Sequence, residues 1–168
     1  MVNGTMSHTP LLEEIIGALL IDKSHSLAVA ESCTGGLISA RITGVAGSSR
    51  YFKGGVVAYS NEVKSERLSV SPATLDRYGA VSAETAVEMV RGVREFVDAR
   101  VGLSVTGIAG PTGGSAEKPV GTVFIAAGDG SRQVNRELHL AGTRQAVREE
   151  SAEKALTLLR DFLRGESG

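Results

Sequence analysis

The stretch "LAVAESCTGG" (Leu27–Gly36) changes character halfway through. Leu27–Ala30 is an unbroken apolar run, the pattern of a strand buried on both faces. Glu31, Ser32, Cys33 and Thr34 then place a carboxylate, two hydroxyls and a thiol in a row, and Gly35-Gly36 follows. In open α/β sheets, ligands gather where strands end and helices begin. We therefore expect a strand over 27–31 and a helix from Cys33 to about Val45 that presents Leu37, Ile38, Ile42 and Val45, with Ser32 at the threshold between them. Helix-start amides lack internal partners and favour negative charge, so the amides of Thr34, Gly35 and Gly36 are expected to point at a bound group. An N-cap explains one hydroxyl without any chemistry. It does not require four polar or reactive residues in sequence.

Outward from this stretch, helical and strand patterns alternate. Residues 11–23 carry Leu12, Ile15, Ile16, Leu19 and Leu20 on one helical stripe. Residues 54–60 read as strand, and 61–68 as a short helix or turn. Ser71 reads as an N-cap with Pro72 at the first helical position. Ser82 caps a long helix whose stripe is Ala86, Val90, Val93 and Val97, with Met89 and Phe96 beside it. Residues 101–107 read as a central strand, followed by the glycine-rich loop "IAGPTGGSAEKP". Residues 120–128 and 132–140 make a hairpin around Asp129-Gly130. A last helix from about Thr143 buries Ala152, Leu156, Leu159 and Leu163. Helices alternating with strands, and a late hairpin, predict a single α/β domain over 11–165. It is a three-layer α/β/α sandwich around a mixed, mostly parallel sheet. Residues 1–10 read as a flexible arm or expression remnant, with Met6 a candidate native start.

Composition narrows the function classes. A chain of 168 residues buries roughly 68–70% of its unfolded surface without needing staples. The net charge is −1 and no Lys/Arg run stands out, so no nucleic-acid footprint is visible. No apolar run approaches the ~18 residues of a membrane span. The single cysteine, Cys33, allows no intrachain disulfide and fits a reducing cytoplasm. Glycine is over-represented, at 21 residues where average usage would give about 12.

Two strand exits carry the candidate chemistry. Besides Glu31–Gly36, "TGIAGPTGG" (Thr106–Gly114) lacks the Gly-Lys-Ser/Thr ending of a phosphate-binding P-loop. It remains a candidate nest of amides for an anion, or a plain surface loop. His8, His25 and His139 belong to no triad-like motif. A desolvated lysine is the other common base, and Lys64 follows the second strand. Cys33 competes with Ser32 as nucleophile. Geometry favours Ser32, because its neighbour must point elsewhere if Ser32 faces the cleft.

The blocks "AESCTGG", "GSSRYFKGGVVAYSNEVK", "YGAVS", "TGIAGPTGG", "EKPVGTV" and "GTRQAVR" occur in one order over roughly residues 11–163. In this they resemble the C-terminal domain of the competence/damage-inducible CinA family, the nicotinamide-nucleotide amidase module. The resemblance implies a three-layer α/β/α domain that hydrolyses nicotinamide mononucleotide to nicotinic acid mononucleotide and ammonia, with no metal or organic cofactor. It also favours a homo-oligomer, expected to be a homodimer; the composition leads us to expect a cytoplasmic protein without direct nucleic-acid or membrane partners. Members that carry an extra N-terminal domain related to molybdopterin-binding proteins are longer, so this chain resembles a stand-alone form. The resemblance puts the nucleophile on Ser32, the base on Lys64, and Ser49, Tyr59 and Thr106 in the active-site region. Glu31, Thr34, Gly35, Gly36, Asn61, Gly107, Gly110, Thr112, Gly113, Gly114, Arg144 and Arg148 are the expected substrate contacts. Glu31 either anchors Lys64 or bonds backbone. Where the family usually has Gly-Asp-Arg, this chain has Gly142-Thr143-Arg144. The alternative reading is a non-catalytic module that holds a nucleotide or pterin phosphate, with Ser32 only a cap.

Overall fold

The computed structural model describes residues 9–166. The expected arm, with His8, lies up to residue 8 outside the described residues. The elements run α1 (Leu12–Asp22), β1 (Leu27–Glu31), α2 (Leu37–Thr43), a 3₁₀ turn (Ser48–Arg50), β2 (Phe52–Val57), α3 (Asn61–Leu68), α4 (Pro72–Tyr78), α5 (Ala83–Val97), β3 (Val101–Gly107), β4 (Thr122–Gly128), β5 (Gln133–His139) and α6 (Arg144–Arg164). The five strands form one mixed sheet in the order β2-β1-β3-β4-β5. β1 pairs in parallel with β2 and β3, while β4 is antiparallel to β3 and to β5. Four strands thus run one way and β4 runs against them.

The two-residue period of a strand decides what each face meets. Leu27 and Val29 of β1 point to one side, with Val101, Leu103 and Val105 of β3 and Val123 and Ile125 of β4. They pack there against α1, α2 and α6 through Ile16, Leu20, Ile38, Ile42, Leu156 and Leu159. Ala28 and Ala30 point to the other side, beneath Leu68, Met89 and Val93 of α3 and α5. Small residues dominate this second face. They let α5 lie close, and a Cβ at Gly102 would stand 2.8 Å from the Val90 carbonyl oxygen. The same alternation continues past the end of β1. Glu31 belongs to the α2/α6 side, and Ser32 to the α3/α5 side.

Local signals explain most boundaries. Ser82 and Thr143 cap α5 and α6 by accepting from the amides of Thr85 and Ala146. Ser60 caps α3 in the same way. The β4–β5 hairpin turns where expected, with Asp129 Oδ1 accepting from the amides of Ser131 and Arg132. Several boundaries differ. α2 begins at Leu37, four residues after the expected start, for a reason given below. β2 covers Phe52–Val57 rather than 54–60, because Ser60 already caps the next helix. Ser71 precedes α4 without a side-chain cap bond; its own amide instead donates to Glu88 at 2.7 Å. Phe96 is 55% exposed, since the buried stripe of α5 runs through Ala86, Met89, Val90 and Val93.

Candidate active site

β1, β2 and β3 are parallel, so the segments that follow them emerge at one edge of the sheet. There Ser32 follows β1, Tyr59 and Asn61 follow β2, Gly107 ends β3 and Ala109 follows it. With Cys33, Lys64, Ala80, Val81, Thr106 and Arg144 they line a pocket of about 240 Å³. Ser32 and Lys64 are 32 residues apart and come together because β1 and β2 are neighbours. Lys64 sits on the first turn of α3 and faces back over the strand ends.

The centre of the pocket is a buried serine–lysine pair. Lys64 is 2% exposed and Ser32 8%. Lys64 Nζ donates to Ser32 Oγ at 3.1 Å and to the Ala58 carbonyl oxygen at 2.9 Å. Among the described residues it forms no ion pair. Burial disfavours the ammonium form and pulls the Lys64 pKa below its ordinary 10.5, outweighing an opposing pull from Cys33. Cys33 is 5% exposed, and burial pushes its thiol up to about 11, so it holds little thiolate at neutral pH.

Glu31 does not reach Lys64. Its carboxylate is 1% exposed and turns to the start of α2. Oε2 accepts from Thr34 Oγ1 at 2.7 Å and from the amides of Gly36 and Ile38, each at 3.1 Å. Oε1 accepts from the Ser39 amide at 2.9 Å and the Ser39 hydroxyl at 2.8 Å. This explains the late helix start. Gly35 and Gly36 take positive φ values of 61° and 98°, conformations that glycine adopts without a Cβ penalty. The turn they make delivers the first α2 amides to the carboxylate. It also corrects the expected amide cradle. The Gly36 amide is held by Glu31, and the Gly35 amide donates to the Ser32 carbonyl at 3.1 Å. The amides of Cys33 and Thr34 make no backbone hydrogen bond among the described residues.

The other expected residues divide in two. Arg144 lines the pocket, donating through Nη1 to the Gly110 carbonyl at 2.8 Å and through Nη2 to the Tyr59 hydroxyl at 2.7 Å. Thr106 borders the pocket, and its hydroxyl is engaged with the Ala80 carbonyl at 2.7 Å. Arg148 does not line the pocket. Its Nη2 donates to the Thr34 carbonyl at 2.9 Å and its Nη1 to Gln145 Oε1 at 3.0 Å. Thr34 is fully buried, with its side chain on Glu31. Thr112, Gly113 and Gly114 are exposed on the loop after β3, outside the pocket lining. Ser49 is not brought to the pocket within one chain. It lies before β2, at the opposite edge of the sheet, and β2's six residues span about 20 Å.

Two contributors carried no readable signal. The Ala58 carbonyl holds Lys64, and a carbonyl has no sequence signature. Lys118 Nζ donates to the carbonyls of Tyr78 and Val81, both at 2.7 Å, and so straps the loop after β3 to the pocket wall. The block "EKP" marks Lys118 as part of a motif without indicating this contact. Among the described residues no three His, Cys, Asp or Glu side chains gather as a metal ion would need, and no helix is long and apolar enough to cross a membrane.

Comparison with known proteins identifies relatives of this sequence and fold. The sequence profile of the CinA C-terminal domain matches residues 10–163. A protein of Acetivibrio thermocellus named for competence-damage induction is 50% identical over 152 residues, 90% of this chain. The chain spans only 37% of that relative's length. Among solved structures, a CinA superfamily protein from Enterobacter cloacae superposes with a TM-score of 0.87 at 32% identity, covering 97% of this chain and 98% of the other. A competence/damage-inducible protein from Agrobacterium tumefaciens gives 0.85 at 38% identity, covering 95% and 99%.

Proposed function

The chain belongs to the CinA C-terminal domain family, and from that premise and the buried Ser32–Lys64 pair we propose that it is an amidohydrolase. In this reading it cleaves the carboxamide of nicotinamide mononucleotide to give nicotinic acid mononucleotide and ammonia. The observation that carries the reading is the lysine amine 3.1 Å from a serine hydroxyl, buried, without an acid partner among the described residues, and open to a pocket. A structural lysine is rarely buried without a counter-ion. A base needs its lone pair, and burial shifts the lysine toward the neutral form that carries it.

With Lys64 neutral, one N–H stays on the Ala58 carbonyl and orients the amine. Its lone pair then faces the Ser32 hydroxyl. Lys64 takes the Ser32 proton as Oγ bonds to the carboxamide carbon, and the carbonyl π electrons move to oxygen. The amides of Cys33 and Thr34 are the backbone donors left at this turn for that oxyanion. Collapse of the tetrahedral species breaks the C–N bond, and the Lys64 ammonium returns its proton to the departing ammonia. Water then attacks the Ser32 ester, with Lys64 as base once more, and releases the carboxylate and the serine. Arg144, at the pocket rim, suits the substrate's phosphate through its planar donors. Arg148 lies outside the pocket lining and leaves that role to Arg144.

The test is ammonia release from nicotinamide mononucleotide by the wild type and Ser32→Ala, with a chelator present. Release by the wild type and its loss in the variant are expected. Undiminished release by Ser32→Ala removes Ser32 from the role. Hydrolysis of free nicotinamide as fast as the nucleotide removes the phosphate contact. Ligand-induced thermal stabilisation without turnover would instead favour a phosphate-binding module.

A further inference from the structure

We propose that Glu31 and Arg148 are positioning residues for Ser32, both holding the turn Ser32–Gly36 from the α2/α6 face without touching the substrate. This rests on the reading of Ser32 as nucleophile. The turn has little internal support. Within it lies one backbone bond, Gly35 N–H to the Ser32 carbonyl at 3.1 Å, and two of its residues are glycines. Left alone, such a segment is loose. The Glu31 carboxylate ties it to the start of α2: two of its five accepted hydrogen bonds come from the turn, from Thr34 Oγ1 and the Gly36 amide, and three from the Ile38 amide and the Ser39 amide and hydroxyl. From α6, the Arg148 guanidinium holds the Thr34 carbonyl at 2.9 Å. A Cβ on Gly35 would stand 3.5 Å from the same Nη2.

Two consequences follow for the site. A carboxylate one residue from the nucleophile would ordinarily attract the nearby ammonium and hold it charged. Here strand alternation sends Glu31 to the opposite face, and five donors occupy its oxygens. Lys64 is thereby left without a counter-ion among the described residues. The α2 N-terminus, a ready anion site in other α/β proteins, is closed by the protein's own carboxylate, so the substrate's anionic group must be held elsewhere.

The five partners of Glu31 are all donors. Glu31→Gln keeps the shape but brings an NH₂ group against amide and hydroxyl hydrogens. Glu31→Asp keeps an acceptor-only group on a shorter stem. The experiment compares these two variants and Arg148→Ala with the wild type. It measures kcat and KM for the amide, and the rate at which a fluorophosphonate labels Ser32, which reads serine reactivity whatever the substrate. Misplacement of a reacting group by about 1 Å costs roughly 10²-fold. Glu31→Gln is expected to lose about that factor in kcat and in labelling rate, with KM little changed. Glu31→Asp is expected to recover part of it, and Arg148→Ala to show a smaller loss of the same kind. If Glu31→Gln does not fold, Arg148→Ala carries the test. Wild-type labelling rates in the folded variants, or a loss confined to KM, overturn the proposal alone. A wild type that is not labelled at Ser32 overturns the reading of Ser32 as well.

Discussion

Replacing Lys64 with Met keeps most of the stem's volume and removes the amine. In the native chain that amine is buried against Ser32 and the Ala58 carbonyl, with no acid beside it among the described residues. Its folded-state pKa is therefore depressed below the ordinary 10.5. The unfolded chain keeps the proton up to that value. Between the two pKa values the unfolded state binds one more proton than the native state, so wild-type stability rises with pH across that window. Below the folded-state pKa both states are protonated and the effect is flat. The Met variant lacks the linkage. The stability difference between the two proteins should then change in favour of the wild type by up to about 1.4 kcal/mol per pH unit as the window is crossed. The offset at any one pH also contains the cost of leaving the Ala58 carbonyl without a donor, about 1–3 kcal/mol; the slope does not. Urea unfolding of both proteins at pH 7, 8, 9 and 10 reads it directly. The same variant should lose about 10²–10⁴-fold in turnover, the range for a general base. Parallel stability curves across this range would show Lys64 as protonated in the native state as in the unfolded chain, and the base would be gone.

Cys33→Ser should retain most activity, and alkylation of Cys33 at neutral pH should be slow, because the thiol is buried with its pKa near 11. Arg144→Ala should raise KM for the nucleotide well above any change in kcat, since its guanidinium stands at the pocket rim; an unchanged KM assigns the phosphate elsewhere. Gly92→Ala should destabilise strongly. The new Cβ would lie 1.8 Å from the Leu68 carbonyl oxygen, forcing α5 off the end of α3. Overpacking costs about 1–3 kcal/mol or more, so thermal melting should fall by roughly 6–12 °C at the upper end of that range.

The layers and strands were legible because their signals are local. β1 is an apolar run, α5 and α6 carry capped stripes, and Asp129-Gly130 marks its hairpin. Ser32 and Lys64 could each be singled out, but their contact is a property of the parallel β1–β2 pairing and of the face on which each strand ends. Glu31 shows where local reading stops. A helix after β1 is sound by periodicity, yet a side chain five to eight residues upstream takes the amides of Gly36, Ile38 and Ser39 and moves the helix start to Leu37. Ser49 shows a second limit. It stands near Tyr59 in sequence, but a strand lies between them and carries the two to opposite edges of the sheet. Arg148 is one turn from Arg144, and that single turn directs it to the Thr34 carbonyl rather than the pocket.

The central claim is a covalent bond between Ser32 Oγ and the carboxamide carbon of the substrate. Acid-quenching the enzyme during turnover of nicotinamide mononucleotide and fragmenting the peptide by mass spectrometry locates that bond. An ester on Ser32, equal in mass to the substrate less ammonia and absent from Ser32→Ala, is the predicted result. A thioester on the adjoining Cys33, or the same adduct on any other residue, would contradict it.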